Sequence, residues 1–194
     1  MPNKYQALLF DLDGTVADTD EMIVQTMNIL YDLYRNGKRT PKEEIYYFSG
    51  PPIYDTLNKE FPGCDMEFMH SEFRRVSIEL YPKTVTTYPG AKETLLKLKE
   101  HGYKLGIVTN KIHSSTLFCL KLIGLEGIFD SLVCYDDVKN PKPHKEPIAK
   151  AMDEIADEGE CGTEHQHFSL SVFAAFVGLN AMIYGHDDQG QHEY

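Results

Sequence analysis

The chain has no tryptophan and no apolar segment of the roughly 20 residues that a membrane-spanning helix requires. Its 10 phenylalanines and 12 tyrosines still give a normal aromatic content for a folded core. The first residues, Met-Pro-Asn-Lys, lead directly into an apolar segment, so we expect no signal or transit peptide. We therefore expect a cytoplasmic protein that has no membrane partner.

Cysteine pairs and an excess of basic residues are also missing. The 4 cysteines are far apart, with no Cys-x-x-Cys pair and no histidines at zinc-finger spacing, so we expect reduced, structural thiols. The formal net charge of -11 argues against nucleic acid as a partner, because that role requires a basic surface that displaces counterions. An acidic protein can still act on a phosphate ester if a lysine and a divalent cation offset its negative charge locally.

A short apolar segment that begins at Leu8 ends in two carboxylates, those of Asp11 and Asp13, and Gly14 and Thr15 follow directly. In an open α/β fold such a strand delivers its last side chains to the carboxyl edge of the sheet, where ligands bind. Residues two apart share a face of a strand, and the glycine lets the chain turn the second carboxylate back over the first. One acid can then attack while the other transfers a proton. The alternative is a turn in which Asp13 and Thr15 bond only to their own backbone.

Apolar residues at helical spacing dominate the region after this strand. Met22, Thr26, Ile29 and Leu33 predict the buried side of an amphipathic helix. Further helices are predicted over residues 41–48, 53–60 and 66–80. We interpret residues 17–85 as a helical cap that is inserted into the fold.

Strands and helices alternate from residue 86 onward. Strands are predicted over 105–108 and 131–135, and helices over 91–102, 115–123 and 148–155. This alternation predicts an α/β fold with a doubly wound parallel sheet. Residues 1–16 and 86–194 would form this core.

Two polar motifs follow the predicted core strands. Thr109 and Asn110 stand where a hydroxyl, an amide and nearby backbone N–H groups can hold a phosphoryl oxygen, although a helix N-cap is an alternative role. Lys142 lies between Pro141 and Pro143, which keep its backbone extended, although an exposed surface lysine is the alternative.

These motifs, in this order, resemble those of the haloacid dehalogenase superfamily of phosphohydrolases. The resemblance implies an aspartyl-phosphate enzyme in which Asp11 is the nucleophile and Asp13 is the general acid and base. It also implies that Lys142 neutralises the nucleophile and the bound phosphate, and that Asp11 and Asp13 hold Mg²⁺. The residues that it places at the substrate are Leu12, Gly14, Thr15, Thr109 and Asn110.

Smaller features are similar to the branch of phosphoglycolate phosphatases and bacterial pyrophosphatases that carry a helical cap. These features are Phe-Ser-Gly-Pro-Pro at 48–52, Thr-Asn-Lys at the second motif, and Asp-Asp-Val before the lysine. The resemblance implies that Gly50 and Pro51 belong to a loop that closes over the substrate and helps to select it. A plain turn between two helices is the alternative. Asp136 and Asp137 either orient Lys142 or cap the loop before it.

The fourth motif of the superfamily, an apolar strand that ends in Gly-Asp and is followed by another Asp, is missing. Residues 158–168 are too polar for a central strand. Residues 169–175 and 178–183 resemble the helix and the final strand that follow the fourth motif, without the acids. Two compensating frameshifts would also produce this pattern, and translation of the gene in its other frames tests that hypothesis.

We expect Mg²⁺ affinity to fall and activity to be low or absent without these carboxylates. Two like charges about 4 Å apart cost roughly 4 kcal/mol at an effective dielectric near 20, or about three powers of ten in rate. Histidine suits Zn²⁺ better than Mg²⁺, which weakens the case for substitute ligands in the C-terminal region. The candidates there are His165, His167, His186, Asp187 and Asp188.

The motifs leave two main functions open. The first is a Mg²⁺-dependent phosphohydrolase of a small phosphorylated substrate, either phosphoglycolate-like or pyrophosphate. The second is a catalytically degenerate relative that binds a phosphorylated ligand or a protein partner without turnover. A phosphomutase is a third option, and the oligomeric state, monomer or homodimer, is left open.

Overall fold

Seven strands and seven α-helices form the part of the chain that the computed structural model describes, residues 7–157, 171–176 and 179–185. The strands are β1 (Ala7–Phe10), β2 (Ala17–Asp18), β3 (Thr86–Thr87), β4 (Lys104–Val108), β5 (Ser131–Val133), β6 (Ser171–Phe176) and β7 (Leu179–Gly185). The helices are α1 (Asp20–Tyr34), α2 (Lys42–Ile45), α3 (Ile53–Glu60), α4 (Met66–Thr84), α5 (Ala91–Glu100), α6 (His113–Leu122) and α7 (Glu146–Asp157). None of the helices in these ranges is long and apolar enough to cross a bilayer.

A five-stranded sheet with the order β5-β4-β1-β6-β7 forms the core. Strand β1 pairs in parallel with β4 and β6, and β4 pairs in parallel with β5. Helices α5, α6 and α7 provide crossovers of the kind that parallel pairing requires. The predicted α/β fold with a parallel sheet is confirmed for these four strands, whereas β7 runs antiparallel to β6.

Strand β6 corrects one prediction. A helix was expected over 169–175, but Ser171–Phe176 is a strand that lies beside β1. Six residues are too few for a typical helix, and Val172, Phe173 and Phe176 are of types that favour a strand. The final strand predicted over 178–183 is present as β7. Segments 171–176 and 179–185 contain no Asp or Glu, and the polar stretch 158–168 lies outside the described residues.

Apolar side chains cover both faces of the sheet at β1 and β4. Leu9 and Val108 pack with Ile155 of α7 on one face. Leu105 and Ile107 belong to a second cluster, which continues into the helices α1, α3 and α4. With its faces covered, a sheet of this type binds ligands at the carboxyl ends of its strands.

Helices α1–α4 form the inserted cap, and α1 packs against α4. The helix predicted after the first strand is present as α1, and Met22 and Thr26 are buried as expected. Ile29 and Leu33 are instead 38% and 56% exposed. The buried side is centred on residues such as Met27 and Leu30, because the positions of the partner helices decide which apolar residues are covered.

A short antiparallel ribbon connects the cap to the core. Strands β2 and β3 pair Ala17 with Thr87 and Asp18 with Thr86. We propose that the cap comprises residues 17–85 and the core residues 1–16 and 86–194, and the position of this ribbon supports these boundaries.

Candidate active site

The turn after β1 places two carboxylates at the carboxyl edge of the sheet. The backbone N–H groups of residues 15–17 donate to the Leu12 carbonyl at 2.9–3.3 Å, and the Gly14 N–H donates to the Ala17 carbonyl at 2.9 Å. Gly14 has a φ of 74°, a left-handed conformation that glycine adopts without the strain that a Cβ would cause. The tight turn keeps Asp11 and Asp13 close to each other.

Asp11 is buried and bonded to Lys142. Its Oδ1 atom accepts a hydrogen bond from the Leu12 N–H at 2.8 Å and lies 2.8 Å from the Lys142 Nζ. Lys142 is itself only 9% exposed, so it is not an ordinary surface lysine. Burial raises the pKa of Asp11 above its usual range, although the nearby Lys142 ammonium opposes this effect. The structure therefore brings the first and third motifs together.

Asp13 pairs with a lysine that was not among the predicted site residues. The Lys111 Nζ lies 2.9 and 3.1 Å from the two carboxylate oxygens of Asp13. Burial by itself lowers the pKa of Lys111, but the Asp13 carboxylate outweighs it, so the side chain stays charged. The signal in the sequence was the third residue of Thr-Asn-Lys, directly after the second core strand. The contact also argues against the alternative turn in which Asp13 bonds only to its own backbone. The buried Thr15 hydroxyl does not form such a bond either, since it has no hydrogen-bond partner in the part of the chain that is described.

Asn110 joins the cap loop to the lysine loop. Its Nδ2 group donates to the carbonyls of Gly50 and Lys142 at 3.0 and 3.1 Å, and its Oδ1 accepts from the Lys142 N–H at 3.0 Å. Ile112, not Asn110, occupies the N-cap position of α6. Thr109 is 3% exposed, and its hydroxyl accepts from the Lys111 N–H at 3.2 Å. The second motif therefore organises the site rather than capping the helix.

A cavity of about 70 Å³ lies between the cap and the core, beside these motifs. On the core side Asp13, Asn110 and Lys111 line it. The cap contributes Pro51 from the predicted loop, together with side chains of α1 and α4. The segment around Gly50 and Pro51 thus faces the site instead of being only a turn between helices.

The donor atoms at Asp11 and Asp13 are oxygens, the ligand type that Mg²⁺ prefers. This ion is commonly held by one or two carboxylates together with waters and substrate phosphate, so the Asp11 carboxylate and the backbone carbonyl of Asp13 fit it. A third carboxylate does not join them in a ligand cluster within the described ranges. The substitute ligands considered in the C-terminal region, His165, His167, His186, Asp187 and Asp188, lie outside those ranges.

Local hydrogen bonds account for a second group of side chains whose positions would otherwise suggest a metal site. His113, Cys134 and Asp137 lie within 4.8 Å of one another. The Asp137 Oδ2 accepts from the Cys134 N–H at 2.9 Å and lies 3.2 Å from the His113 Nδ1, while Asp136 accepts from the His113 N–H at 2.7 Å. Burial raises the pKa of the Cys134 thiol to about 12, which disfavours the thiolate that metals bind. Asp136 and Asp137 thus cap local backbone groups, one of the two roles expected for them.

Comparisons with known proteins agree with this geometry. The sequence profile of the haloacid dehalogenase-like hydrolase family matches residues 8–160. Pyrophosphatase PpaX of Bacillus velezensis is 41% identical over 152 residues, which cover 77% of this chain and 68% of that protein. Pyrophosphatase PpaX of Bacillus pumilus is 38% identical over 151 residues, which cover 78% of this chain and 69% of that protein.

The fold has a close counterpart among solved structures. The crystal structure of a predicted phosphoglycolate phosphatase from Haemophilus somnus superimposes with a TM-score of 0.70 and covers 80% of this chain and 74% of that one. Its sequence is 21% identical, so this likeness concerns the fold. Together, the profile match and the two pyrophosphatases show that the chain belongs to the haloacid dehalogenase-like hydrolase family.

Proposed function

We propose that this hydrolase is a phosphatase that transfers the phosphoryl group of a small phosphate ester, phosphoglycolate-like, or of pyrophosphate, first to Asp11 and then to water. The observation that carries the proposal is the buried Asp11 carboxylate, which lies 2.8 Å from the Lys142 Nζ, on the same turn as Asp13. The pyrophosphatases that resemble the chain support the choice of a small phosphorylated substrate.

The reaction would use the two carboxylates in sequence. The Asp11 carboxylate attacks phosphorus, the bond from phosphorus to the leaving oxygen breaks, and Asp13 donates a proton to that oxygen. Asp13 then takes a proton from a water molecule that attacks the acyl phosphate, which releases phosphate and restores Asp11. The same residue acts first as acid and then as base, so no further titratable group is required.

Other side chains would hold the transferring group. The Lys142 ammonium offsets the negative charge of both Asp11 and the phosphate. The buried Thr15 hydroxyl, which lacks a partner in the described ranges, is a donor for a phosphoryl oxygen at the same turn, and Thr109 is a second such donor. Mg²⁺, which Asp11 and Asp13 would hold, adds further neutralisation of the phosphate charge when it is bound. The cap loop at Gly50 and Pro51 would limit the access of water to the site.

A second candidate function is binding of a phosphorylated ligand without turnover. It is favoured by one observation: β6 lies beside β1, yet segments 171–176 and 179–185 contain no carboxylate residue. A site with only two carboxylates would hold the metal ion, and with it a phosphate dianion, less tightly than a site with the carboxylates of the fourth motif.

Phosphate release from pyrophosphate and from phosphoglycolate, measured with Mg²⁺ and again with a chelator, separates the two candidates. We expect Mg²⁺-dependent release that falls at least about 10³-fold in Asp11→Asn, since the amide is not a nucleophile. Asp32→Asn, at an exposed carboxylate of the cap, is the matched control and should retain the wild-type rate. Turnover that persists in Asp11→Asn contradicts the assignment of the nucleophile. Calorimetric binding of the inert analogue phosphonoacetate, with no release of phosphate from a broad panel, supports the second candidate.

A further inference from the structure

We propose that Lys111 and Arg74 form a subsite for a second anionic group, which the leaving group of the substrate carries. The inference rests on the proposed role of Asp13 toward the leaving oxygen and goes beyond it, because it assigns the residues that select the leaving group. The preferred substrates are small phosphate esters or anhydrides with a carboxylate or a phosphoryl group next to the bridging oxygen.

The position of Lys111 follows from the position of Asp13. The leaving oxygen must lie beside Asp13 to receive its proton. The Lys111 Nζ lies 2.9 Å from one Asp13 oxygen and 3.1 Å from the other. An anionic group one or two bonds from the leaving oxygen would therefore come within contact distance of the Lys111 ammonium.

The charge of the cavity favours an anion. Although the whole chain has a net charge of -11, the described residues that line the cavity include one carboxylate, Asp13, against the basic side chains of Lys111, Arg74 and His70. His70 is stacked on Tyr54 and bonded to its hydroxyl, which leaves Lys111 and Arg74 as the permanent cations. A basic pocket in an acidic protein concentrates anionic ligands at that position.

The two cations come from different parts of the molecule. Arg74 lies on α4 of the cap, and its Nη2 donates to the Ser114 hydroxyl of α6 at 3.3 Å. Lys111 lies on the core, with its Nζ 5.5 Å from the centre of the Tyr81 ring of α4. An anion between Lys111 and Arg74 would therefore bind cap and core at once.

The second anion would also change the partner of Lys111. In this structure the Lys111 ammonium is neutralised by Asp13, and a substrate anion can take over that role. Asp13 is then released to contact the leaving oxygen. A neutral leaving group offers no such exchange.

Two matched substrates test the subsite. Phosphoglycolate and 2-hydroxyethyl phosphate differ by a carboxylate in place of a hydroxymethyl group, so the ratio of their kcat/KM values measures recognition of the second anion. We expect wild type to prefer phosphoglycolate by about 10- to 100-fold, the range of a charge-assisted hydrogen bond. The ratio should fall toward one in Lys111→Met and by about 3- to 10-fold in Arg74→Gln. Lys121→Met, at an exposed lysine of α6 away from the cavity, is the control and should keep the ratio.

Further variants and a binding assay keep the test decisive. Lys111→Met leaves Asp13 without its lysine and can destabilise the fold, so Lys111→Arg, which preserves the charge, and the exposed Arg74→Gln are measured beside it. Calorimetry with phosphonoacetate and 2-hydroxyethylphosphonate repeats the comparison without turnover. A wild-type ratio near one, or an equal ratio in wild type and Arg74→Gln, overturns the subsite while phosphate release sustains the proposed function. Tighter binding of phosphonoacetate that is lost in Arg74→Gln supports the subsite even if phosphate is never released.

Discussion

The surroundings of two buried carboxylates, Glu60 in the cap and Asp11 in the core, shift their pKa values in opposite directions. The Glu60 Oε2 accepts hydrogen bonds from Thr40, Tyr31 and Arg35 at 2.6, 2.8 and 2.7 Å. Burial by itself raises the pKa of Glu60, but these donors outweigh it and hold the pKa below the usual range. The charge of Glu60 is thus stabilised within the cap.

At Asp11 the net effect of burial and hydrogen-bond donors on the pKa has the opposite sign. Burial dominates there, and the contacts from Lys142 and the Leu12 N–H only partly offset it, so the pKa of Asp11 is raised. A carboxylate that its surroundings stabilise incompletely gains more from an incoming metal ion or phosphorus centre. Donors that outweigh burial thus fit a structural role for Glu60, and donors that only partly offset burial fit the role of nucleophile that we propose for Asp11.

Replacement of Lys142, the lysine beside Asp11, should have the largest effect. Lys142→Gln removes the charge that offsets Asp11 and the bound phosphate, and we expect kcat/KM to fall by about 10²- to 10³-fold. Lys139→Gln, at an exposed lysine of the same loop, is the matched control and should stay within about twofold of wild type in a phosphate-release assay. A kcat/KM of Lys142→Gln within tenfold of wild type would contradict the role of Lys142 in offsetting the charge of Asp11 and phosphate.

Replacement of the structural acid should affect stability instead. Glu60→Gln weakens three hydrogen bonds at a side chain that is 8% exposed, and we expect the free energy of unfolding to fall by about 1–3 kcal/mol. Urea unfolding measures this loss, and kcat should remain at the wild-type value. Glu72→Gln, which removes a less deeply buried acid that pairs with the exposed Arg75, should cost less. A loss of kcat in a folded Glu60→Gln variant would show that the cap acid also serves the reaction.

The smallest expected effect is a pH dependence of the difference in unfolding free energy between wild type and Glu60→Gln. Because the pKa of Glu60 is lower in the folded than in the unfolded chain, its contribution is complete above the unfolded value of about 4.3. It is lost as the pH falls through the folded pKa, which lies below that value. The difference in unfolding free energy between wild type and Glu60→Gln should therefore be constant from pH 6 to 7 and narrow below about pH 4. A difference that widens on acidification would refute the assigned sign.

The sequence predicted those parts of the site that follow from strand ends. Asp11, Asp13, Thr109 and Asn110 could be placed together because the carboxyl ends of neighbouring parallel strands meet at one edge. The pairing of Lys111 with Asp13 was missed, although Lys111 is the third residue of Thr-Asn-Lys and follows the end of the neighbouring strand β4.

The remaining differences have similar physical causes. The exposure of Ile29 and Leu33 could not be read from periodicity, because the packing of α1 against α4 decides which of its apolar residues are buried. Segment 171–176 was expected to be a helix by position after a motif that is absent, whereas its composition fits a strand. The parallel sheet with its helical cap was confirmed, whereas the buried face of α1 and the helix over 169–175 were predicted wrongly in part or in full.

The β2–β3 ribbon brings the two ends of the insertion side by side, with Ala17 opposite Thr87. Paired residues of this kind have Cα atoms only about 4.5–5.5 Å apart. The cap is therefore joined to the core at two neighbouring points, like the loop at the end of a β-hairpin. The closure entropy of such a loop grows only slowly with its length. A different cap can therefore be grafted onto the same two residues as a cassette, which would exchange leaving-group preference while the carboxylates after β1 keep their positions.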